Sequence, residues 1–495
     1  MSSYIELETR FRRLAALGQA TGMLHWDAAV MMPAGGAEAR SEQIATLVSL
    51  RHELLCQPDM EDLLDGARAE ADLKPWQTAN LREMRRGWMH ATALPPDLVA
   101  ARSKAGMACE MQWRDARPKS DFASLSGLLG EVLRLERDAA GIKAEALGCT
   151  PYDALLDQYS PGIDTNTLER IFARLAAFLP EFIQAVIERQ AMSPAPVLPD
   201  GPFPQTTQRQ VGMRFMEALG FDFGGGRLDV STHPFSGGTP DDLRITTRYD
   251  EADFATGLMG ILHETGHALY ERGLPKEWRL QPVGKARGMD IHESQSLLIE
   301  MQACRSKPFI DYAAPILKDA FAGAGPRWDA GNLYGIFTRV SCGLIRVDAD
   351  EATYPLHVIL RTDLERAMLA GDLAIDDLPG AWNEAMEMLL GLKPPDDKDG
   401  CMQDIHWFDG AFGYFPSYTM GALAAAQFFA AAVKSDGQIP DAIGRGDFKP
   451  LYAWLGANIH GQGCYLETPE LIEQATGAPL DPEIFLSHLQ SRYLN

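Results

Sequence analysis

The segment His263-Glu264-Thr-Gly-His267 sets two imidazoles four residues apart with a carboxylate beside the first. Residues four apart lie on one face of a helix, so both rings can aim at a single cation. Glu264 follows the first ring by one position, which leaves it beside that cation and not bound to it. From there it can take a proton from a water that the metal has made acidic. The chemistry on offer is metal-assisted hydrolysis. Phe254, Leu258, Ile261, Leu262 and Leu269 supply an apolar stripe around the motif, with Asp250 as a candidate N-cap and Gly273 as a stop. The bland alternative is two histidines at chance spacing, so a third ligand must decide.

In metzincins that ligand is a histidine, with Gly at position 270 and His at 273. Here those residues are Tyr270 and Gly273, which excludes the pattern. A glutamate on a following helix is the other solution. Asp290-Ile-His292-Glu293-Ser-Gln-Ser-Leu-Leu-Ile-Glu300 opens such a helix, and Glu293 lies 26 positions after His267. A return loop over 273–288 would bring it back antiparallel to the ion. Glu300 is the rival ligand, about 10 Å further along by helical rise, so both cannot bind one ion. Glu293 is favoured, and the plain alternative for Glu300 is a salt-bridged surface residue. His292 either packs as a polar residue or faces substrate. Two histidines, one carboxylate and an open position suit one Zn²⁺ per chain, with Co²⁺ or Mn²⁺ as alternatives.

The elements that must position these groups are helical. Apolar residues recur at about 3.6-residue spacing over Tyr4–Ala20, 125–147, 168–187, 352–369 and, briefly, 471–475. Met420 to Val433 reads as a buried core helix, too short to span a bilayer. Strand signals lie at 226–232 and 242–249, joined by the turn-rich Ser236-Gly-Gly-Thr-Pro240; they predict a small antiparallel ribbon just before the histidine helix. The five prolines of 192–204 and the polar Lys393–Gly400 stretch predict loops within one large domain spanning 1–495, with two lobes possible about a groove.

Composition narrows the partners. With 45 Lys+Arg against 68 Asp+Glu the net charge is −23, which argues against nucleic acid or an anionic membrane. Seven scattered cysteines without a C-x-x-C predict a reducing compartment and no disulfide framework. The first residues carry no basic-then-apolar leader pattern, so the expected location is the cytoplasm.

Several ordered segments extend the pattern: His233-Pro-Phe, Asp242-Leu-Arg244-Ile-Thr, the histidine motif, His292-Glu293-Ser-Gln, Ile345-Arg346-Val-Asp-Ala-Asp350, and Gly400-Cys-Met-Gln403-Asp404-Ile-His406-Trp407. Trp26-Asp27 with Met32-Pro33, and Pro151-Tyr152-Asp153, belong with them. In these segments the chain resembles the carboxypeptidase Taq family of metallocarboxypeptidases. The resemblance implies a mainly α, saddle-like fold with a deep groove, akin to neurolysin and angiotensin-converting enzyme, and a homodimer. It also implies removal of single residues from peptides with a free C-terminus, with broad specificity and little activity toward C-terminal proline.

On that resemblance Glu264 is the general base, Tyr418 the oxyanion donor and His406 a substrate-positioning partner, with Tyr414 in reserve for either role. An exopeptidase must read a carboxylate, which arginine does with a bidentate fork. Arg346 is the candidate, and its structural alternative is a salt bridge to Asp348 or Asp350. His233 and Arg244 would line a groove wall or serve the ribbon alone. His357 shares a face with Arg361 and reads as structural; His25, His52, His90, His460 and His488 lack ligand spacing. The rival functions are a zinc endopeptidase or dipeptidase on the same scaffold, and a non-catalytic helical binding protein.

Overall fold

The computed structural model describes residues 2–495 and is mainly helical, with one three-stranded sheet. The opening helix begins where the Ser2 hydroxyl accepts from the Ile5 amide, and it runs through Gly18 and Gly22 to Val30, with no proline before the Met31-Met-Pro33 turn. The other expected helices form at Ala123–Leu147, Thr165–Ala191, Tyr354–Ala370 and Thr468–Thr476. Met420 to Val433 lies inside the Pro416–Ser435 helix, much of which is buried. Residues 392–400 are loop, as are residues 192–204. No helix among the described residues is long and apolar enough to cross a membrane.

The sheet corrects the expected ribbon. Strands β1 (Gly226–Val230), β2 (Phe235–Thr239) and β3 (Asp242–Thr247) lie in the order β1-β3-β2. The stretch read as a connection is itself a strand, and it is β2 that pairs antiparallel with β3, Phe235 facing Thr246. The two expected strands run parallel, Gly226 facing Leu243. The Pro240-Asp241 turn folds β3 back on β2 and leaves β3 a second edge for β1. Leu228, Leu243 and Ile245 bury their side chains against Ile261 and Ala268, so the sheet backs the histidine helix.

Three apolar clusters form among the described residues. The largest draws on residues from Cys109 to Tyr493, the sheet has its own, and Tyr4, Leu7, Phe11, Leu14, Met60, Leu64, Leu81 and Met84 make a third at the N-terminal end. Polar side chains fasten the third to the segment between the two site helices. The Asn80 amide donates to Tyr4 and Gln281 and accepts from the Val283 amide. The fully buried Arg287 pairs with Glu83 at 2.9 Å and donates to the Leu466 carbonyl. Trp26 lies beneath the guanidinium groups of Arg227 and Arg244, at 5.0 and 4.2 Å, which ties the opening helix to the sheet.

Candidate metal centre and substrate site

The histidine helix spans Phe254–Gly273. Its N-cap is Asp253, whose carboxylate accepts from the Ala255 and Thr256 amides; Asp250, three residues earlier, serves a turn instead. The next long helix, Gly288–Leu297, crosses it antiparallel, since His263 meets Glu300 while His267 meets His292. The crossing is close. A Cβ on Gly266 would stand 2.5 Å from the Gln295 carbonyl oxygen, so the motif's glycine lets the helices touch backbone to backbone. The Pro416–Ser435 helix closes the other side at Gly421, where a Cβ would stand 2.8 Å from that of Glu293. Behind the crossing, the imidazole of His460 bonds Gln295 at 3.0 Å.

This packing gathers His263, His267 and Glu293, whose ligand atoms all lie within 4.8 Å of one another. Among the described residues it is the one such group. The Glu293 carboxylate is 3.8 Å from His263 Nε2 and 3.4 Å from His267 Nε2. The far nitrogens are occupied. His263 Nδ1 meets Glu300 at 2.9 Å, and His267 Nδ1 meets the His292 carbonyl at 3.1 Å and His292 Nδ1 at 2.6 Å. His292 Nε2 meets Glu271 at 3.1 Å. With Nδ1 engaged in both histidines, each turns its Nε2 toward the shared space. Two imidazoles, one carboxylate and engaged rear nitrogens fit a divalent cation.

Against the burial that would lower it, Glu293 and Glu300 raise His263 to about 10, so its ring holds a second proton that a cation at Nε2 would have to displace. Burial lowers His267 to about 4, so its ring is neutral at pH 7 and able to ligate. Against the burial that would raise it, His263 and His267 hold Glu293 down to about 2. Glu264 is buried too, and burial pushes its carboxyl up to about 7, with Glu293 and Glu300 adding to the rise while His263 and His292 oppose it. Such a group gives and takes protons near neutrality.

Glu300 departs from the surface reading: it is buried, pairs with Arg305 at 2.7 Å and backs His263. His292 lies behind His267 with both ring nitrogens engaged, which is the packed-polar alternative.

A second group forms around the loop before the Pro416–Ser435 helix. Tyr418 stands in that helix's first turn, its hydroxyl 3.3 Å from His406 Nε2. Tyr414 meets the Tyr418 ring edge-on at 5.2 Å and lies 5.3 Å from the His406 ring. Burial lowers His406 to about 4. The turn carrying these groups is anchored on Glu365, a fully buried carboxylate that accepts from Trp407 Nε1, the Gly413 amide and the Tyr152 hydroxyl.

Arg346 packs against the Tyr418 ring at 4.7 Å. Neither expected partner binds it. Asp350 accepts from the Ser341, Ala352 and Thr353 amides, and the carboxylate that grips Arg346 is Asp404, at 2.7 Å. Asp404 also grips Arg361 at 2.6 Å, and both arginines hold its carboxyl far below the usual range against the burial that would raise it. His357, fully buried, is lowered by burial to about 3. Two guanidinium groups therefore share one carboxylate between two neutral imidazoles, leaving one positive charge in surplus among these groups. Gln403 locks the arrangement by accepting from the Arg346 amide and donating to the Leu344 carbonyl.

The sheet residues stay apart from this chemistry. Arg244 pairs with Asp242 at 2.7 Å and lies on Trp26; His233 is exposed between β1 and β2, and neither is hydrogen-bonded or ion-paired to the histidine cluster. Sequence reasoning passed over Tyr354, which stands 6.1 Å from the Tyr418 ring; burial raises its hydroxyl, and Glu293 adds to the rise. Its one sequence signal is its place four residues after Asp350.

Paired histidines and a glutamate on crossed helices, in a helical body with a small sheet, are a donor set and scaffold suited to a metallopeptidase. The chain belongs to the carboxypeptidase Taq (M32) metallopeptidase family, whose sequence model matches residues 6–493. It is similar to thermostable carboxypeptidase 1 of Thermus thermophilus, 37% identical over 99% of this chain and 97% of the relative. It is also similar to carboxypeptidase 1 of Bacillus subtilis, 32% identical over 98% and 96%. Among solved structures, metallocarboxypeptidase 1 of Trypanosoma cruzi superposes with a TM-score of 0.98 at 41% identity, over 100% of this chain and 99% of that one. The M32 carboxypeptidase of Deinococcus radiodurans superposes at 0.93 with 35% identity, over 100% and 99%.

Proposed function

We propose that this metal-dependent carboxypeptidase releases single amino acids from the free C-termini of peptides, with His263, His267 and Glu293 holding one Zn²⁺ and Glu264 acting as base. The observation that carries the reading is the gathering of the His263 and His267 Nε2 atoms and the Glu293 carboxylate within 4.8 Å of one another. Zinc suits two nitrogen donors and one carboxylate, while Co²⁺ and Mn²⁺ also fit such a set. The bound cation supplies Lewis acidity, which makes water nucleophilic at neutral pH.

The remaining steps belong to the chain. Glu264 takes the proton of the attacking water and returns it to the leaving amine, a task matched to a carboxyl raised to about 7. Tyr418 donates to the oxygen on which negative charge develops, a contact worth about 2.7–4 kcal/mol in comparable sites. His406, neutral and 3.3 Å from the Tyr418 hydroxyl, orients it, and Tyr414 walls the same space. Arg346 reads the substrate carboxylate, supported by the surplus positive charge around Asp404. His233 and Arg244 contribute groove wall, and His292 holds His267 in place.

The same reading takes residues 1–495 as one metallopeptidase domain in a cytoplasmic homodimer. Seven cysteines without a disulfide suit a reducing compartment.

The test is mass spectrometry of one peptide and its C-terminally amidated twin, incubated with and without chelator. Chelator-sensitive, one-residue losses from the free C-terminus alone support the reading. Internal cleavage of both peptides would replace it with an endopeptidase, and no cleavage with any added metal would favour a binding protein.

A further inference from the structure

The seven-residue interval between Glu293 and Glu300 places two buried carboxylates on opposite sides of one imidazole. His263 Nε2 faces Glu293 at 3.8 Å, while its Nδ1 faces Glu300 at 2.9 Å. Glu300 is not free to wander. It stands in a π-helical stretch, Leu298–Cys304, that continues the Glu293 helix. In an α-helix the side chains stacked beside it would come three or four residues on. The wider π turn instead presents the residue five on, Arg305, which pairs with Glu300 Oε1 at 2.7 Å. Arg305 is itself held by the Phe337 carbonyl at 2.9 Å. One carboxylate oxygen thus goes to a guanidinium and the other to His263.

We propose that Glu300 is a positioning residue of the metal centre. Its carboxylate, steadied by Arg305, keeps the proton of His263 on Nδ1 and fixes the ring plane, so that Nε2 presents its lone pair to the cation. A neutral imidazole carries one N–H, and whichever nitrogen carries it cannot ligate. Glu300 therefore selects the binding tautomer, and the local change from α to π winding exists at the point where that selection is made. This rests on His263 being a ligand.

The test uses the full-length protein and competition with a chromogenic chelator, which reads the zinc dissociation constant directly and without turnover. Glu300→Gln should weaken zinc binding by about 10- to 100-fold. Glu300→Asp, which keeps the charge on a shorter arm, should recover part of the loss. The Co²⁺-loaded Glu300→Gln protein should show a shifted visible absorption band, because the ligand ring is reoriented. The melting temperature of each metal-free variant separates this from a folding defect. An unchanged zinc constant with a lowered metal-free melting temperature would make Glu300 part of the scaffold only and overturn the proposal. Glu293→Ala is the control: if it retained wild-type zinc affinity, the ligand assignment itself would fall, a failure distinguishable from that of Glu300.

Discussion

Replacing Arg346 by methionine should separate substrate reading from stability, and the charge pattern around Asp404 says why. Asp404 is gripped by two arginines, Arg346 at 2.7 Å and Arg361 at 2.6 Å. Removing Arg346 leaves Asp404 and Arg361 as a balanced pair, and methionine keeps an unbranched apolar stem for the Tyr418 ring. The fold should lose no more than about 1–2 kcal/mol, a typical single-substitution effect. The substrate would lose a charged hydrogen-bond partner worth about 1.5–3 kcal/mol, or roughly a 10- to 150-fold fall in kcat/KM. The fall should apply to free-carboxylate peptides and spare any turnover of amidated ones. Asp404→Asn is the contrast: it strands two guanidinium groups that are 6% and 0% exposed, and removing one partner of a buried pair costs about 3–5 kcal/mol. Urea denaturation measures stability, and initial rates on a matched free and amidated peptide pair measure recognition. Equal kinetic losses on both peptides, or a collapse of stability in Arg346→Met like that of Asp404→Asn, would refute the carboxylate-reading role.

Glu264→Gln should retain the metal by elemental analysis and lose about 10²- to 10⁴-fold in kcat; turnover near wild type would remove Glu264 from the base role. Gly266→Ala should cost about 1–3 kcal/mol and weaken metal binding, because its methyl group would meet the Gln295 carbonyl; thermal melts and chelator competition check both effects. Glu351, buried under Arg492, His488 and Tyr493, is held by Arg492 and His488 at about 2 against the burial that would raise it. A depressed carboxyl stabilises the fold above its unfolded value near 4.5, and that contribution is lost as pH falls toward 2. On the order of 3 kcal/mol is at stake, so Glu351→Gln should flatten the acid limb of a stability-against-pH curve. A limb as steep as wild type would show that other carboxylates carry it.

The clustering of His263 and His267 was legible because helical periodicity turns a four-residue interval into a shared face, and the same logic set Glu293 beside them across the return loop. Arg346 and Tyr418 were legible as residues, yet their surroundings were not. Asp404, 58 positions from Arg346, could not be named as its partner because loop-to-loop pairing has no period. The sheet was misread for a related reason: Phe235-Ser-Gly-Gly-Thr239 has turn composition, and its strand character comes from the waiting edge of β3. Glu300 looked like a surface residue because an α-helical count cannot foresee the π turn that sets Arg305 against it.

The segment between the two site helices takes its shape from partners far away in the chain. Gln281, Val283 and Arg287 are held by Asn80, Glu83 and the Leu466 carbonyl, and His460 bonds Gln295 behind the helix crossing. Contacts between residues so distant in sequence are the slow ones to form. During synthesis Asn80 and Glu83 emerge about 200 residues before their partners, whereas His460 and Leu466 follow some 170 residues after Glu293. The N-terminal cluster draws on residues made early, whereas the helix crossing is backed by His460 and the Arg287 pocket by Leu466, so the scaffold of the candidate metal centre is complete only when nearly the whole chain has been made.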